Sequence, residues 1–479
     1  MADDGQAPQL RLTDTLAGEQ RPFEPLDPPH VLLYVCGLTV SDDPHLGHAR
    51  TWVSFDVLHR YLAYLGYDVL HVENVTDVDD KIIAKADEED TTPAAIAERY
   101  SQQVYDDMEA LNLRRVEVRP RVTEHVDDIV AMVEALVDEG YAYEADDGVY
   151  FDVDSYEDYG QLSGVDLDEL EQGEESEAKD DPADFALWKA VEDDAEDEPS
   201  WDSPWGAGRP GWHIECSAMS TRHLGDTIDI HGGGRDLVFP HHENEIAQSE
   251  CATGEAFTRY WLHVGPLRVE GDKMSTSLDN FWTVHDALDE YSPNAIRAFL
   301  ISTQYAKPQQ FSEDSLDEGR RKWERLRNAE RAAADAMDSE RALAKVVDRD
   351  LRRTAEATRP AFEEAMDDDL NTPEALAALF ELAGAINSHV DEGDVYDYQG
   401  LFRAWATLRD LGGVLGFAFD EADRGPEGPT DELIEILLDV RERERDEGNY
   451  DAADRIRDRL RDAGVAVEDD DGGTTYRIE

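Results

Sequence analysis

Three consecutive segments near the N-terminus decide the fold. Residues 31–36 read VLLYVC, residues 45–66 read HLGHARTWVSFDVLHRYLAYLG, and residues 68–74 read DVLHVEN. The first and third segments are short, apolar and rich in β-branched residues, which is typical of buried strands, whereas the second has the apolar spacing of a helix. Strand, helix and strand in this order predict the opening of a parallel α/β sheet.

The rest of the chain carries further periodic segments. Amphipathic helices are predicted over 93–111 and 123–138, and strand and turn signals return over 226–240. Residues 166–199 are rich in Asp and Glu with few large apolar side chains, and we interpret them as an exposed insertion or loop. Apolar residues recur at helical spacing through 313–417, which predicts an almost purely helical region.

Changes in composition and pattern divide the chain into segments with different predicted structures. The segments are the first half of an α/β domain with HLGH at 1–130, a connective insertion with an acidic loop at 131–205, the second half of the α/β domain at 206–265, a loop region at 266–315, a helical bundle at 316–420, a linker at 421–432 and a small α/β domain of two helices and a strand pair at 433–479.

The charge balance is strongly acidic. The chain has 112 acidic and 44 basic residues, a formal net charge of -68, and only eight of the basic residues are lysine. The acid is spread over the whole chain, which is typical of a protein kept soluble in molar salt, where the Debye length falls to about 3 Å. Counterion release contributes little under such conditions, so the net charge does not exclude an RNA partner that is recognised by shape, stacking and hydrogen bonds.

Cysteine usage and the N-terminus bear on the compartment. An odd, sparse set of three cysteines, Cys36, Cys216 and Cys251, argues against a disulfide framework and for a reducing compartment. The N-terminus lacks a basic and then apolar leader, and no apolar run approaches the roughly 18 residues of a membrane span. We expect a cytoplasmic protein, with Cys251 packed in its core.

The tetrapeptide His45-Leu46-Gly47-His48 follows the first predicted strand of the sheet and opens a helix. Ligands in open α/β sheets bind at the carboxyl ends of strands. Two imidazoles one turn apart at a helix start can donate to phosphate oxygens, and Gly47 leaves room for a flat base on the backbone. Taken alone, the tetrapeptide is equally compatible with two surface histidines.

A second motif, Lys273-Met274-Ser275-Thr276-Ser277, reads as a polar mobile loop after a strand-like segment. A lysine with hydroxyl groups beside it suits the negative charge that develops on a transferring or leaving phosphate. The alternative is a solvated surface loop with no role in chemistry.

Sulfur, nitrogen and carboxylate donors of the kind that bind zinc are scattered along the chain. Cys36 ends the first strand of the sheet, Cys216 lies in WHIEC, and His241 and Glu245 stand four apart, on one helical face. There is no CxxC pair, so spacing alone leaves open that both cysteines are ordinary buried thiols. His242 could replace His241, but it has no carboxylate at the same offset.

These motifs together resemble cysteinyl-tRNA synthetases. The segments that carry the resemblance are CGLTV at 36–40 running into HLGH, NVTDVDDKI at 74–82, GWHIECSAM at 211–219, HGGGRDLVFPHHENE at 231–245, KMSTS at 273–277 and the C-terminal AADRIRDRLRDAGVAVEDDDGGTTYRIE. The resemblance covers nearly the whole chain. It implies a class I Rossmann catalytic domain with an insertion, an all-α helical bundle that binds tRNA and a small C-terminal α/β domain on the anticodon side.

The resemblance also implies an activity and a set of site residues. The expected enzyme is a monomer that activates L-cysteine with ATP and Mg²⁺ and transfers it to tRNA-Cys. One zinc ion would be held in the amino-acid pocket by Cys36, Cys216, His241 and Glu245. The residues implied to shape the pocket are Thr76, Trp212, His231 and Asp236. The residues implied to face ATP, among which His45, His48 and Lys273 are catalytic, are His45, Gly47, His48, the turn Gly232, Gly233 and Gly234, and Lys273, Ser275, Thr276 and Ser277.

One departure from the family and one requirement of the chemistry bear on this assignment. The family's loop usually reads KMSKS, and here Thr276 takes the second lysine position, which puts phosphate stabilisation by that side chain in doubt. A merely apolar pocket separates cysteine from serine by only about 10–200-fold. Zinc takes a soft thiolate more readily than a hydroxyl, so we hypothesise that it binds the substrate sulfur directly, with Glu245 as the weakest protein ligand.

Other interpretations remain open from the sequence. A related ligase that joins cysteine to an amino sugar would share the catalytic motifs but lack the distal domain. A nucleotidyltransferase with a structural zinc would show no preference for cysteine, and a decayed RNA-binding homologue would not need HLGH and Lys273.

Two groups of basic residues are candidates for tRNA contact, although most of them are also explained as solvated helix faces. Arg320, Arg321 and Lys322 are expected to start one helix, and Arg455, Arg457, Arg459 and Arg461 to lie on another.

Overall fold

The computed structural model describes two compact units, Met1–Asp423 and Arg424–Glu479. The described residues are 9–165, 178–191, 198–269, 271–274 and 281–419 and, beyond them, 437, 438, 440, 441, 443, 445, 453, 455–457, 459, 460, 465–470 and 473–478. None of the helices in these ranges is long and apolar enough to cross a bilayer.

Strands and helices alternate through the first unit. The strands are β1 (Arg11–Asp14), β2 (Glu19–Pro22), β3 (His30–Val35), β4 (Asp68–Glu73), β5 (Ala142–Ala145), β6 (Gly148–Phe151), β7 (Phe185–Ala190), β8 (Gly208–Pro210), β9 (Ile228–Gly234), β10 (Thr258–Val264), β11 (Leu267–Val269), β12 (Asp272–Lys273), β13 (Gln309–Phe311), β14 (Ala342–Leu343) and β15 (Tyr396–Asp397). The helices are α1 (Leu46–Tyr64), α2 (Asp80–Glu88), α3 (Pro93–Ala110), α4 (Val126–Glu139), α5 (Trp212–Leu224), α6 (Glu243–Thr253), α7 (Val284–Glu290), α8 (Pro293–Leu300), α9 (Glu313–Asp338), α10 (Arg349–Asp367), α11 (Thr372–Glu392) and α12 (Tyr398–Val414).

The centre of this unit is a parallel sheet of four strands in the order β10, β9, β3, β4. Helix α1 joins β3 to β4 and buries an apolar face that includes Leu46, Val53 and Leu58, each at most 1% exposed. The predicted strand, helix and strand at the start of the sheet are confirmed, as are the helices predicted near 93 and 123 and the strand near 226. Because the strands are parallel, their carboxyl ends meet at one edge of the sheet, which is where ligands bind in this architecture.

The insertion holds a second sheet, which corrects one expectation. Strands β5, β6, β7 and β8 pair antiparallel in that order, so Phe185–Ala190 is not part of an exposed loop. Its sequence FALWKA presents Trp188 fully buried, and the ring of Phe185 stacks on Phe151 at 5.0 Å between centroids. The sequence did not reveal this strand because acidic segments flank it on both sides and because its pairing partners are distant in sequence. The acidic flanks 166–177 and 192–197 lie outside the described residues.

Helices α9 to α12 form the predicted helical region, and that expectation is confirmed. Helix α9 begins at Glu313, where the Ser312 hydroxyl accepts the backbone N–H of Ser315 in a capping box. Arg320, Arg321 and Lys322 therefore lie two turns inside α9 and do not start it, so this expectation is wrong. The serine that can cap the helix, and not the cluster of basic residues, marks where the helix starts.

The second unit is described in part. Its described residues between 437 and 460 are helical, and β16 (Val465–Asp470) pairs antiparallel with β17 (Gly473–Ile478), which confirms the predicted terminal strand pair. Arg455, Arg457 and Arg459 lie in the helical part. Arg461 and the predicted linker 421–432 lie outside the described residues.

A buried ion pair joins helix α1 of the four-stranded parallel sheet to the helices that follow. The Arg297 guanidinium of α8 is fully buried and lies 2.8 Å from Asp56 Oδ2 of α1. It also donates to the carbonyl oxygens of Leu111 (3.2 Å), Asn112 (3.1 Å) and Leu415 (3.3 Å). A buried charge that loses its partner is strongly destabilising, so this contact anchors α1 against the helical region.

Replacing Arg297 with Met should therefore destabilise the protein by about 3 kcal/mol, because the Asp56 carboxylate would stay buried with its strongest partner removed. The measurement is the thermal midpoint at constant potassium chloride. Arg353→Met is the matched control, since the side chains of Arg353 and its partner Asp350 are 76% and 83% exposed, and such pairs contribute about 0–1 kcal/mol. Equal midpoints for the two variants would contradict the anchoring role.

Candidate metal centre and nucleotide site

Two loops lie side by side at the carboxyl edge of the sheet. The loop after β3 and the loop after β4 are joined by hydrogen bonds from Gly37 N to Asn74 Oδ1 (2.8 Å), from Val40 N to the Thr76 carbonyl (3.2 Å) and from Thr76 N to the Leu38 carbonyl (3.1 Å). The first loop leads into α1 and the second into α2. The carboxyl end of β3 is thereby held between β4 and β9, and the residue that follows it, Cys36, is buried.

The four residues predicted to bind zinc lie together in the structure. Cys36 Sγ is 3.6 Å from Cys216 Sγ and 3.3 Å from Glu245 Oε1, and His241 Nε2 is 3.2 Å from Glu245 Oε1. All four ligand atoms lie within 4.8 Å of one another, and all four residues are buried. Ligand atoms around a tetrahedral zinc, with bonds of about 2.0–2.3 Å, are separated by about 3.3–3.8 Å. The donor set and its spacing therefore fit zinc.

The electrostatics of the cluster also favour a cation. Burial raises the pKa of the Cys36 thiol well above its ordinary value, and the adjoining Cys216 and Glu245 raise it further. Burial likewise raises the pKa of Cys216. Burial acts to raise the pKa of Glu245 as well, but the neighbouring His231 and His241 hold it below its usual value. Two thiols beside an ionised buried carboxylate form a place where a metal cation would stabilise negative charge.

A second ligand set shares two members with the first. Cys36 and Glu245 also lie within 4.8 Å of ring nitrogens of His231 and His242. His231 Nε2 is 2.8 Å from Glu245 Oε2, and His242 Nε2 is 3.8 Å from Glu245 Oε1. His242 thus does approach a carboxylate, at a spacing of three residues, which lies on one helical face as a spacing of four does; the sequence-based expectation considered only the spacing of four. Within the described ranges, His231 Nδ1 and His242 Nε2 have no hydrogen-bond partner.

Further side chains hold the ligands in place. His213 Nδ1 lies 3.0 Å from His241 Nδ1, and His242 Nδ1 lies 2.8 Å from His263 Nε2. Such contacts to the second ring nitrogen orient metal-binding imidazoles. Sequence reasoning did not single out His213 or His263, because neither has a motif of its own and β10 brings His263 to the site only through strand pairing with β9.

The residues predicted to shape the amino-acid pocket differ in their exposure and in their neighbours. The Trp212 ring lies 4.4 Å from the His241 ring and is 38% exposed, whereas His231 stacks on Trp261 at 4.5 Å. The Thr76 hydroxyl donates to Glu215 Oε2 (3.0 Å), and burial raises the pKa of this carboxyl group well above its usual value. Glu215, next to Cys216, was not predicted.

Helix α1 begins with the two histidines of HLGH. The backbone N–H of His48 donates to Nδ1 of His45 (3.3 Å), the backbone N–H of His45 donates to Nδ1 of His48 (3.2 Å), and the rings stack at 3.6 Å. Because each Nδ1 accepts, the proton of each neutral ring resides on Nε2. Burial lowers the pKa of His45 to about 4 and that of His48 well below its ordinary value. Near pH 7 both rings are neutral and each presents one Nε2–H donor.

Close packing explains why glycine stands at positions 47 and 232. A Cβ on Gly47 would lie 2.8 Å from the His45 ring, and one on Gly232 would lie 2.1 Å from Phe55 Cζ of α1. The segment from Gly232 to Gly234 is the end of strand β9 and not the expected turn, because Gly232 pairs with both neighbouring strands. Contact of these glycines with ATP stays a prediction.

Lys273 lies at the end of β12, in a hairpin with β11. Its Nζ is 2.9 Å from Asp236 Oδ2, so Asp236 lies beside the predicted phosphate-binding lysine. The charge of Lys273 contributes to lowering the pKa of both HLGH histidines, which places the three side chains in one electrostatic neighbourhood. Ser275, Thr276 and Ser277 lie outside the described residues.

Comparison with known proteins was made with the whole sequence and with the fold. A family model described as tRNA synthetases class I (C) catalytic domain matches residues 22–321, one described as DALR domain matches 361–420, and one described as Cysteinyl-tRNA ligase anticodon binding domain matches 430–477. The chain is 52% identical to Cysteine--tRNA ligase of Haloarcula marismortui, over 98% of this chain and 100% of that protein. It is 54% identical to Cysteine--tRNA ligase of Halobacterium salinarum, over 97% and 99%.

Solved structures share the fold at low sequence identity. Methionyl-tRNA synthetase of Mycobacterium tuberculosis in complex with methionyl-adenylate matches with a TM-score of 0.61 and 16% identity, over 85% of this chain and 94% of that chain. A ternary complex of LeuRS, tRNA and LeuAMS from Agrobacterium radiobacter matches with a TM-score of 0.61 and 12% identity, over 85% and 86%. The predicted fold class is confirmed.

The buried His45 should make stability fall on acidification. Its folded-state pKa of about 4 lies below the value of about 6.5 for a free histidine. The unfolded chain therefore binds a proton that the folded chain refuses as the pH falls from about 6.5 to about 4, at up to about 1.4 kcal/mol per pH unit. His45→Asn keeps a capping side chain but removes this titration.

The free energy of unfolding of the His45→Asn variant, relative to the unsubstituted protein, should thus rise between pH 7 and pH 5 in urea titrations at fixed salt. His285→Asn, at a side chain that is 67% exposed, is the control for replacing an imidazole at the surface. A His45→Asn difference that is independent of pH would show that the buried ring does not titrate as described.

Proposed function

This chain belongs to the cysteinyl-tRNA synthetase family, and we propose that it activates L-cysteine with ATP to cysteinyl-adenylate and transfers the cysteinyl group to tRNA-Cys. The observation that carries the proposal is the buried cluster of two thiols, an imidazole and a carboxylate within 4.8 Å at the carboxyl edge of the same sheet from which HLGH opens α1. A metal-binding pocket adjoining phosphate-binding groups is what an ATP-dependent, thiol-selective ligase needs.

In this proposal Cys36, Cys216, His241 and Glu245 hold one zinc ion. The ion would supply a soft Lewis acid that accepts the substrate thiolate as a ligand and accepts a serine hydroxyl poorly. Glu245 is the candidate for the weakest of the four ligands, because its second oxygen is already engaged by His231 at 2.8 Å. A carboxylate with an alternative partner is released from a metal with less loss than one without.

Side chains around the cluster would orient the amino acid. Trp212 lies over His241 and is accessible from solvent, so it can close against the substrate. Thr76 offers a hydroxyl oxygen held by Glu215 and Asn74. Fixing the carboxylate of cysteine near the α-phosphate of ATP lets the oxygen attack phosphorus in line while pyrophosphate leaves with Mg²⁺, without a protein general base.

The nucleotide would be held at the start of α1. The neutral His45 and His48 rings present Nε2–H donors to phosphate oxygens, and their neutrality avoids burying charge before ATP binds. The Lys273 ammonium, now 2.9 Å from Asp236 Oδ2, would exchange that carboxylate for phosphate and stabilise the charge that develops on the leaving group. The terminal adenosine of tRNA then attacks the adenylate carbonyl through its 2′- or 3′-hydroxyl.

The charge of the chain and its C-terminal domain bear on the salt concentration in which it works and on its partner. The net charge of -68, spread over the whole chain, favours a cytoplasm of molar salt. We propose a monomer, and tRNA as the macromolecular partner. The match of residues 430–477 to an anticodon-binding domain opposes the amino-sugar ligase, which would need no such domain.

The central experiment is ATP–pyrophosphate exchange in about 2 M potassium chloride with cysteine or serine, followed by charging of tRNA-Cys. We expect exchange with cysteine to exceed exchange with serine by at least about 10⁴-fold, the discrimination that translation requires, and we expect charging to follow. Absence of cysteine-dependent exchange would end the proposal. Exchange without charging would favour the amino-sugar ligase.

The zinc assignment is tested by Cys216→Ser with Cys251→Ser as its matched control, since both thiols are buried but Cys251 lies outside the metal cluster. Cys216→Ser should lose most of the roughly one zinc per chain and lose cysteine-dependent exchange, because a serine oxygen replaces a thiolate ligand. Cys251→Ser should retain both. Zinc is measured by elemental analysis of purified protein, and a zinc-free Cys216→Ser protein with full activity would exclude zinc from cysteine recognition.

A further inference from the structure

Helix α2 lies beside the loop that leads into HLGH. The loops before α1 and α2 are hydrogen-bonded to each other, and Lys85 Nζ of α2 is 3.5 Å from Asp42 Oδ1 of the loop before α1. The face of α2 that carries Lys85 therefore faces that loop. Lys81 stands four residues earlier, on the same face and one turn nearer to the edge of the sheet.

The Lys81 ammonium is exposed and forms no ion pair with any residue that the structure describes. The acidic side chains around it have other partners. Asp79 caps α2 by accepting the backbone N–H of Lys81 (2.9 Å), and Asp80 is held by Lys189 (2.9 Å) and Arg209. Lys85, by contrast, lies within 4 Å of three carboxylates, Asp42, Glu88 and Glu89. On the exposed face of α2, Lys81 is the amine that remains available to a ligand.

The position of Lys81 is electrostatically unusual. It lies in the first turn of a nine-residue helix, where the backbone N–H groups carry partial positive charge and a cation is unfavourable. An anion bound at this point would be stabilised by the helix and by the lysine together. Burial lowers the pKa of His48, and the charges of His45, Lys273 and Lys81 lower it further. Lys81 and Lys273 therefore both lie within electrostatic range of the His48 imidazole.

We propose that Lys81 binds the phosphate oxygens of the nucleotide held at His45, His48 and Lys273 and is the second cation of that site. The inference rests on the proposed ATP-dependent activation. Lys273 is shared with Asp236, and the residue of its loop at which the family usually has a second lysine is Thr276. A triphosphate binding there would meet few lysines on a chain that has eight, and Lys81 would supply one more positive charge.

The test measures kcat and KM for ATP in cysteine-dependent ATP–pyrophosphate exchange at fixed potassium chloride. Lys81→Met should lower kcat/KM for ATP by about 10- to 100-fold, while KM for cysteine and zinc content stay unchanged. Lys81→Arg should restore most of the loss, because a guanidinium also binds phosphate. Lys345→Met, at an exposed lysine of the helical region, is the control for loss of one positive charge and should match the unsubstituted protein.

A second-site substitution separates a phosphate role from a structural one. Thr276→Lys adds the family's loop lysine, and it should raise the exchange rate of the Lys81→Met variant more than that of the parent, because both amines would act on the same phosphates. A purely structural Lys81 predicts equal effects in both backgrounds.

Three outcomes would overturn the inference: unchanged ATP parameters in Lys81→Met, equal effects of Thr276→Lys in both backgrounds, or a loss confined to tRNA charging with exchange intact, which would assign Lys81 to the acceptor end of tRNA. Absence of exchange in the unsubstituted protein would refute the proposed function itself. Thermal unfolding of each variant distinguishes a folding defect from a binding defect, and the Lys81→Arg and Thr276→Lys variants keep the lysine position testable in a folded background.

Discussion

Two thiols and a carboxylate share one water-excluded space at the carboxyl edge of the central sheet, and the surrounding elements keep them there. Cys36 follows β3, Cys216 lies in α5 and Glu245 in α6, so the cluster joins three separate stretches of chain. Burial makes negative charge at this place costly unless a cation or a donor meets it. The histidines that reach in from β9, α5, β10 and the turn before α6 supply hydrogen-bond partners and possible metal ligands around this cluster.

Neutral side chains also supply the hydrogen-bond donors at the proposed nucleotide site. The HLGH rings are neutral because they are buried, and they hold their donor geometry through reciprocal bonds with the backbone of the helix they begin. Positive charge is scarce on this chain, and where it is buried it joins elements together. Arg50, two residues after His48, donates to the carbonyls of Gln304, Tyr305 and Lys307. These residues precede β13, the strand that pairs with β11 of the Lys273 hairpin. Lys81 and Lys273 are both exposed, and the charge of each contributes to lowering the pKa of His48.

Buried contacts also join the helical region to the part of the chain that carries the site. Arg297 secures α8 against Asp56 of α1, and Asp369, between α10 and α11, accepts hydrogen bonds from Thr13, Gln304 and Tyr305. These contacts join the N-terminal hairpin, the strand beside the Lys273 hairpin and the helices that follow. Each of these contacts is at least partly buried and includes a charged group, so together they hold the sheet edge against the helices that follow.

The sequence by itself determined the elements whose signals are local: the strand, helix and strand around HLGH, the helices near 93 and 123, the helical region after 313 and the terminal hairpin. It also determined the family, through motifs in order along the chain, and with it the expected ligand set. Only the tertiary structure decided that Phe185–Ala190 is a buried strand, that Gly232–Gly234 ends a strand, that His242 approaches Glu245 and that His213 and His263 support the ligands. The physical reason is that strand pairing and metal-ligand geometry depend on contacts between residues far apart in the chain, whereas helix periodicity and capping depend on neighbours three or four residues away.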